Sequence, residues 1–122
     1  MPLTGDSDLS LKLLDRALAW LRCDVYGDVD PMRALMSDDA EMFGTRGAQD
    51  VLAFKARWLT QPVNYTVDAI HEVDLENLTV VVGFTSLLEG REGRGADVIQ
   101  FDGTLRVCGV DAIRYHDVGH RP

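Results

Sequence analysis

The sequence predicts an α+β fold, on three observations. Apolar residues recur at helical spacing through the first half of the chain, the period changes to two after Pro62, and turn signals separate the strands that follow. Helices gathered in one half and strands in the other leave the strands to pair as an antiparallel meander, with the helices packed on one face. No repeat, linker or shift in composition divides residues 1–122, so a single domain is expected.

Pro2 to Asp8 is polar, and Ser7 or Asp8 is placed to cap the first helix. That helix carries Leu11, Leu14, Leu18, Leu21 and Val25 as an apolar stripe, widened by Leu13, Ala17 and Trp20. Gly27 to Pro31 punctuates it, and Pro31 begins a short second helix that runs through Met36 and ends at Ser37-Asp38-Asp39. Ala40 to Phe43 reads as a short strand before a turn at Gly44 to Gly47. Gln49 to Trp58 reads as a third helix with Val51, Phe54 and Trp58 on one side, stopped by Pro62. Beyond it, Val63 to Val73 alternates as a strand, and Glu76-Asn77 turns the chain into Leu78 to Leu88. In that strand Val80-Val81-Val82 is apolar on both faces, which requires cover on both. Glu89 to Gly95 reads as a charged, Gly-rich hairpin, Asp97 to Phe101 as the next strand, and Leu105 to Tyr115 as the last, before a polar tail.

Composition narrows the function. The chain has 122 residues, 46% of them hydrophobic and 26% charged, which is the balance of a globular protein with a real core. A net charge of -8, from 12 Lys plus Arg against 20 Asp plus Glu, argues against nucleic acid or an anionic membrane as partner. Cys23 and Cys108 lack metal-ligand spacing and read as thiols of a reducing compartment. The N-terminal stretch lacks a signal-peptide pattern and no segment is long enough to span a bilayer, so the expected location is cytoplasmic. No metal constellation is visible, and no cofactor is expected.

The chemistry centres on Asp97-Val98-Ile99-Gln100-Phe101-Asp102-Gly103. As a strand ending in an Asp-Gly turn, it places Asp97, Ile99 and Phe101 on one face. One carboxylate on an apolar face is paired, hydrated, or protonated with a raised pKa, and each condition makes it a candidate for chemistry. The plain alternative is a strand-end Asp that meets water. Turns placed near Glu76-Asn77, Gly90 to Gly93 and Gly103 put Asp97 in a row with Ser86 or Leu88, with Val110 and with Tyr65. Tyr65 shares the inward phase and is the first candidate partner. His71 sits alone on an apolar face and titrates near neutrality, so it joins the catalytic candidates. The same register sets it roughly 20 Å from Asp97 along the sheet, which favours a core or dimer-face histidine.

The order of elements resembles the nuclear-transport-factor-2-like superfamily, in its SnoaL-like and ketosteroid isomerase group. The resemblance rests on Gly27-Asp28-Val29-Asp30 before a short helix, Leu35 with Asp38-Asp39-Ala40, Gly47 with Val51 and Phe54, and Asp97 to Gly103. It implies a cone-shaped, strongly curved antiparallel sheet on three N-terminal helices, enclosing a pocket, with a homodimer through the outer sheet face. Position by position, the isomerase's oxyanion tyrosine falls on Trp20 and its proton-shuttling aspartate on Gly44. Only its second oxyanion-hole aspartate, a neutral donor, is matched, at Asp97. The arginine that the related limonene epoxide hydrolases need two residues before this aspartate is Gly95 here.

A pocket of that kind would be lined by Trp20, Phe43, Trp58, Phe84, Phe101 and Val110, with Arg114 at its rim for an anionic group. Glu41 reads as an edge charge or as a second inward carboxylate. The expectation is therefore a small apolar ligand, bound by a cofactor-free isomerase, cyclase or dehydratase-like enzyme that uses Asp97 as acid or base and Tyr65 as donor. The alternative is a binding or dimerisation module that keeps the pocket without turnover.

Overall fold

The structure, a computed structural model, describes residues 5–59, 63–88 and 90–117, with side chains described for all of these except 5–6, 58–59, 63–64, 88 and 114–117. The expectations for the N-terminal four residues, for Pro62 as a helix stop and for the tail after Asp117 lie outside the described residues. The elements are α1 (Gly5–Tyr26), α2 (Met32–Leu35), β1 (Met36–Met42), β2 (Thr45–Arg46), α3 (Ala48–Leu59), β3 (Val63–Asp74), β4 (Thr79–Leu88), β5 (Arg91–Phe101) and β6 (Val107–Asp117).

Two corrections concern the first half. The buried line of α1 runs through Leu13, Ala17 and Trp20, with Leu21 beside it, whereas Leu11, Leu18 and Val25 of the expected stripe are exposed. The stripe was wide enough to be read along either edge, and the sheet takes the edge that carries the tryptophan. The second helix is only four residues long, because Met36 is already extended, at φ -120° and ψ 155°. Ser37, Asp38 and Asp39 continue as β1 instead of ending a helix. The strand was masked by its carboxylates: Met36, Ala40 and Met42 are its core residues, and exposed Asp38, Asp39 and Glu41 lie among them.

The sheet has six strands in the order β2-β1-β6-β5-β4-β3. It is mixed, not wholly antiparallel, because β1 pairs parallel with β6. The β3 to β6 meander is antiparallel throughout. α1 packs on β3 and β4, and α3 on β1 and β2. The core between these layers holds Trp20, Leu21, Met32, Val51, Val82 and Ile99 among its fully buried side chains.

Registers decide what meets Asp97. The β4–β5 turn is tighter than expected: Leu88 pairs with Arg91, and Gly90 takes a positive φ of 78°. The charged residues after Gly90 are strand, so Asp97 pairs with Val82 and Ala112, and not with Ser86 or Leu88 and Val110. Tyr65 pairs with Ser86, one of the two partners the sequence left open. In β3 the register shifts twice, between Val67 and Ala69 and between Ile70 and Glu72. Such bulges bend a strand and increase its twist.

Candidate functional site

Asp97 sits in mid-strand on β5 with its side chain in the phase of Ile99 and Phe101, both buried. Its cross-strand neighbours on that face are Val82 and Ala112. It is only 8% exposed. Burial in these surroundings pushes its carboxyl up to about 6; a hydrogen bond from Tyr65 opposes the rise, Asp24 adds to it and Lys55 reduces it.

Tyr65 Oη donates to Asp97 Oδ2, so the structure brings these two predicted residues together. They meet despite their registers. Tyr65 pairs with Ser86 while Asp97 pairs with Val82, and the long phenol spans the offset by lying over Phe84, with ring centroids 5.1 Å apart. Phe84 in turn needs Gly95 opposite it. A Cβ there would stand 2.9 Å from Phe84 Cζ and 2.3 Å from the Ile113 carbonyl oxygen. The glycine in the epoxide hydrolases' arginine position thus makes room for the ring that carries the tyrosine. Burial, then the charge of Asp97, raises the Tyr65 hydroxyl above its ordinary value and keeps it a proton donor.

Sequence reasoning missed two members of the site, Asp24 on α1 and Lys55 on α3. Their side chains form a salt bridge that is 10% and 7% exposed. The signal was present. Asp24 continues the buried line Leu13, Ala17, Trp20, and Lys55 continues Ala48, Val51, so each is a charge at a core position of its helix. Burial raises the Asp24 carboxyl, while the charge and hydrogen bond of Lys55 pull it back. Helix-borne Asp24 and Lys55 are near enough for their charges to act on sheet-borne Asp97. The two hydrogen-bonded pairs, Tyr65–Asp97 and Asp24–Lys55, thus lie within electrostatic reach of each other.

The remaining candidates divide. Trp20, Phe84, Phe101 and Val110 are buried, Phe84 directly beneath Tyr65. Phe43 is 46% exposed and stacks on Phe54 at 5.5 Å, at the β1–β2 turn. The side chains of Trp58 and Arg114 lie outside the described residues; by register Arg114 pairs with Gly95. Glu41 is an exposed edge charge, 3.7 Å from Arg46.

His71 is close to Asp97 in register and separated from it by the sheet. It follows Ile70, which pairs with Val82, the partner of Asp97. The expected distance of roughly 20 Å therefore rested on a displaced turn and two unseen bulges. The second bulge puts the imidazole over Gly83, where a Cβ would be 2.5 Å from Nε2. Gly83 faces away from the buried Val82 and Phe84, so His71 lies on the outer face.

A surface depression lined by Asp39, Glu41, Gln100, Cys108 and Asp111 opens on the outer face as well, because Gln100 and Asp111 are out of phase with Asp97. Among the described residues, no group of three or more His, Cys, Asp or Glu is arranged to hold a metal ion, and no helix is long and apolar enough to cross a membrane.

No protein-family model matches the sequence, and no curated protein matches it. Solved structures do match. A steroid delta-isomerase from Pseudomonas aeruginosa aligns with a TM-score of 0.73 over 95% of this chain and 84% of its own, at 19% identity. The fold is nuclear-transport-factor-2-like. A second structure of this fold, RV0760c from Mycobacterium tuberculosis, aligns with a TM-score of 0.66 over 88% of this chain and 92% of its own, at 16% identity. In this nuclear-transport-factor-2-like frame the sheet supplies Tyr65 and Asp97, and the helices laid against it supply Asp24 and Lys55.

Proposed function

We propose that the protein binds a small, largely apolar, carbonyl-bearing molecule at the Asp97–Tyr65 pair and moves a proton on it, as a cofactor-free isomerase, cyclase or dehydratase-like enzyme. The observation that carries this reading is a desolvated carboxyl, poised at about 6, that shares a hydrogen bond with a half-buried phenol. A scaffold gains nothing from desolvating an acid, whereas a general base near its working pH has the proton affinity that catalysis needs. The steroid in the name of the Pseudomonas aeruginosa neighbour is likewise a small, largely apolar molecule.

At neutral pH Asp97 is mainly ionised and holds the Tyr65 hydrogen bond. It takes a proton from the carbon beside the ligand carbonyl, and the C–H electron pair moves onto the carbonyl oxygen. The protonated carboxyl no longer competes for the Tyr65 hydroxyl, which turns to the new oxyanion. Returning the proton to another carbon completes an isomerisation with all atoms accounted for. This division of roles differs from that of the ketosteroid isomerases, whose matching aspartate is a neutral donor. The cone-shaped enclosure and a location in a reducing compartment, where Cys23 and Cys108 stay free, belong to the same proposal.

A second reading, ligand binding without turnover, draws on Trp20 and Gly44 at the isomerase's tyrosine and aspartate positions. One experiment separates the two. Cyclic ketones, lactones, steroids and polyketide-like aromatics are screened by thermal shift against the wild type, Asp97→Asn and Tyr65→Phe. Deuterium exchange at the carbon beside the carbonyl is then followed by NMR for each compound that shifts the wild type. Exchange that falls about 100-fold or more in Asp97→Asn supports the enzyme. Binding without exchange supports the module, and no shift with any compound removes both readings.

A further inference from the structure

We propose that Lys55 is an amine nucleophile that condenses with an aldehyde or ketone to form an imine, a second activity of the same interior, resting on the reading above only in that a carbonyl compound binds beside Asp97 and Tyr65. The choice of residue points there first. Of the 12 Lys plus Arg in the sequence, all but Lys12 and Lys55 are arginines. Lys12 is exposed on α1, and every arginine whose side chain is described is exposed, whereas Lys55 is 6% exposed on the buried side of α3. Where a buried cation has only to hold a carboxylate, arginine suits the place better, because its planar fork is more weakly hydrated and makes two parallel hydrogen bonds. Lysine differs in one chemical respect. It can give up a proton and expose a lone pair, which a guanidinium cannot. A chain that otherwise builds its cations from arginine thus puts at this buried position the residue able to act as a nucleophile.

The surroundings of Lys55 supply what an imine needs. Its ammonium donates to Asp24, and burial raises that carboxyl, so a proton acceptor stands at the nitrogen. α1, which carries Asp24, packs on β3 and β4, the strands of Tyr65 and of Val82, the cross-strand neighbour of Asp97. Ala112, the other neighbour of Asp97 on that face, is exposed, so the face is open to a small molecule at β6. In the reaction Asp24 takes a proton from the ammonium, and the freed lone pair attacks the carbonyl carbon as the C–O π pair moves to oxygen. One proton passes from nitrogen to that oxygen, Asp24 returns its own to the same oxygen, and the C–O bond breaks to release water as the nitrogen pair closes the C=N bond. The iminium carries the single positive charge that the ammonium carried, so Asp24 keeps an opposite charge beside it. The carbon beside an iminium can send its C–H electron pair to nitrogen instead of oxygen, which opens proton transfer by Asp97 to aldehydes and simple ketones.

The test is reductive trapping. The full chain is incubated at neutral pH with sodium cyanoborohydride and either cyclohexanone or hexanal, and adducts are located by peptide mass mapping. Cyanoborohydride delivers hydride to the iminium carbon and leaves a stable secondary amine. Lys55 is expected to be labelled about tenfold or more faster than exposed Lys12 in the native protein, and the two at equal rates in urea. Lys12→Arg is expected to keep the native label, and Lys55→Arg, which retains a cation opposite Asp24, to lose it. The native map and Lys12→Arg decide the matter even where Lys55→Arg fails to fold. A label confined to Lys12 and the N-terminal amine overturns the proposal, as does a label at Lys55 no faster than that at Lys12. Deuterium exchange beside the carbonyl of cyclohexanone separates this result from the reading above. Exchange that depends on Asp97 without an adduct at Lys55 refutes the imine alone, and an adduct at Lys55 without exchange supports the imine and counts against the proton transfer.

Discussion

Replacing Asp97 by Asn tests the cost of the site directly, and pH separates that cost from every other effect of the change. The folded carboxyl titrates at about 6 against an ordinary value of 3.8. Because the folded pKa is the higher one, the folded state binds the proton more tightly. The stability this gives is fully present below pH 3.8 and is lost as pH rises through 6. At about 1.36 kcal/mol per pH unit, an ionised Asp97 costs the native state about 3 kcal/mol at neutrality relative to acid. Asn cannot ionise and escapes the penalty. Its amide still accepts from Tyr65, but it brings a buried NH2 group that costs about 1–3 kcal/mol when unsatisfied, at every pH alike. The effect of the substitution, measured by urea unfolding, is therefore expected to be more favourable at pH 7.5 than at pH 4.5 by about 2 kcal/mol. An effect of equal size at both pH values would show that Asp97 titrates as an ordinary solvated acid. The argument for chemistry at this position would then fail.

Two further predictions concern the surroundings of Asp97. Lys55→Met leaves Asp24 buried without its partner and is expected to destabilise the protein by about 3–5 kcal/mol, while adding Asp24→Leu recovers most of the loss; a double-mutant cycle by chemical unfolding reads the coupling. Gly95→Ala drives a Cβ into the Ile113 carbonyl and the Phe84 ring, whereas Gly83→Ala meets only the imidazole of exposed His71, which swings aside. Thermal unfolding should therefore show a loss of more than about 2 kcal/mol for the first and less than about 1 kcal/mol for the second.

Much of the fold was legible because each long element carries its own period. The first and third helices and the strands of the meander follow from apolar spacing, and the turn at Glu76-Asn77 fixes the β3–β4 pairing near Asp74 and Thr79, while the two bulges choose Ser86 over Leu88 as the partner of Tyr65. The sequence hid what depends on partners distant along the chain. β1 looks polar because only its pairing with β6 and the helices above it select Met36, Ala40 and Met42 as its buried phase. The two β3 bulges leave no mark in a row of alternating residues, yet they turn His71 to the outer face. For the candidate site, Asp97 and Tyr65 were legible as polar groups in an apolar phase. Asp24 and Lys55 were legible by the same criterion but were passed over, because acidic and basic residues on an amphipathic helix are ordinarily assigned to its wet side.

The Asp24–Lys55 pair gives the interior a defined charge balance. Paired, the two contribute no net charge, so the cluster is neutral while Asp97 holds its proton and carries one negative charge once it is lost. That charge is what burial resists and what Lys55 and the Tyr65 hydroxyl partly offset. In the reaction proposed above, an ionised Asp97 would take a proton from a bound carbon acid, the negative charge would move to the ligand oxygen and the total inside the core would stay the same. No ion is desolvated in that step, since the desolvation has already been met by folding. In the proposed reaction Tyr65, which donates to Asp97 in the structure, would be released as Asp97 becomes neutral, when the ligand oxygen needs a donor. A buried pair of opposite charges next to a lone buried acid therefore suits internal proton transfer, in which charge changes place without changing sign or amount.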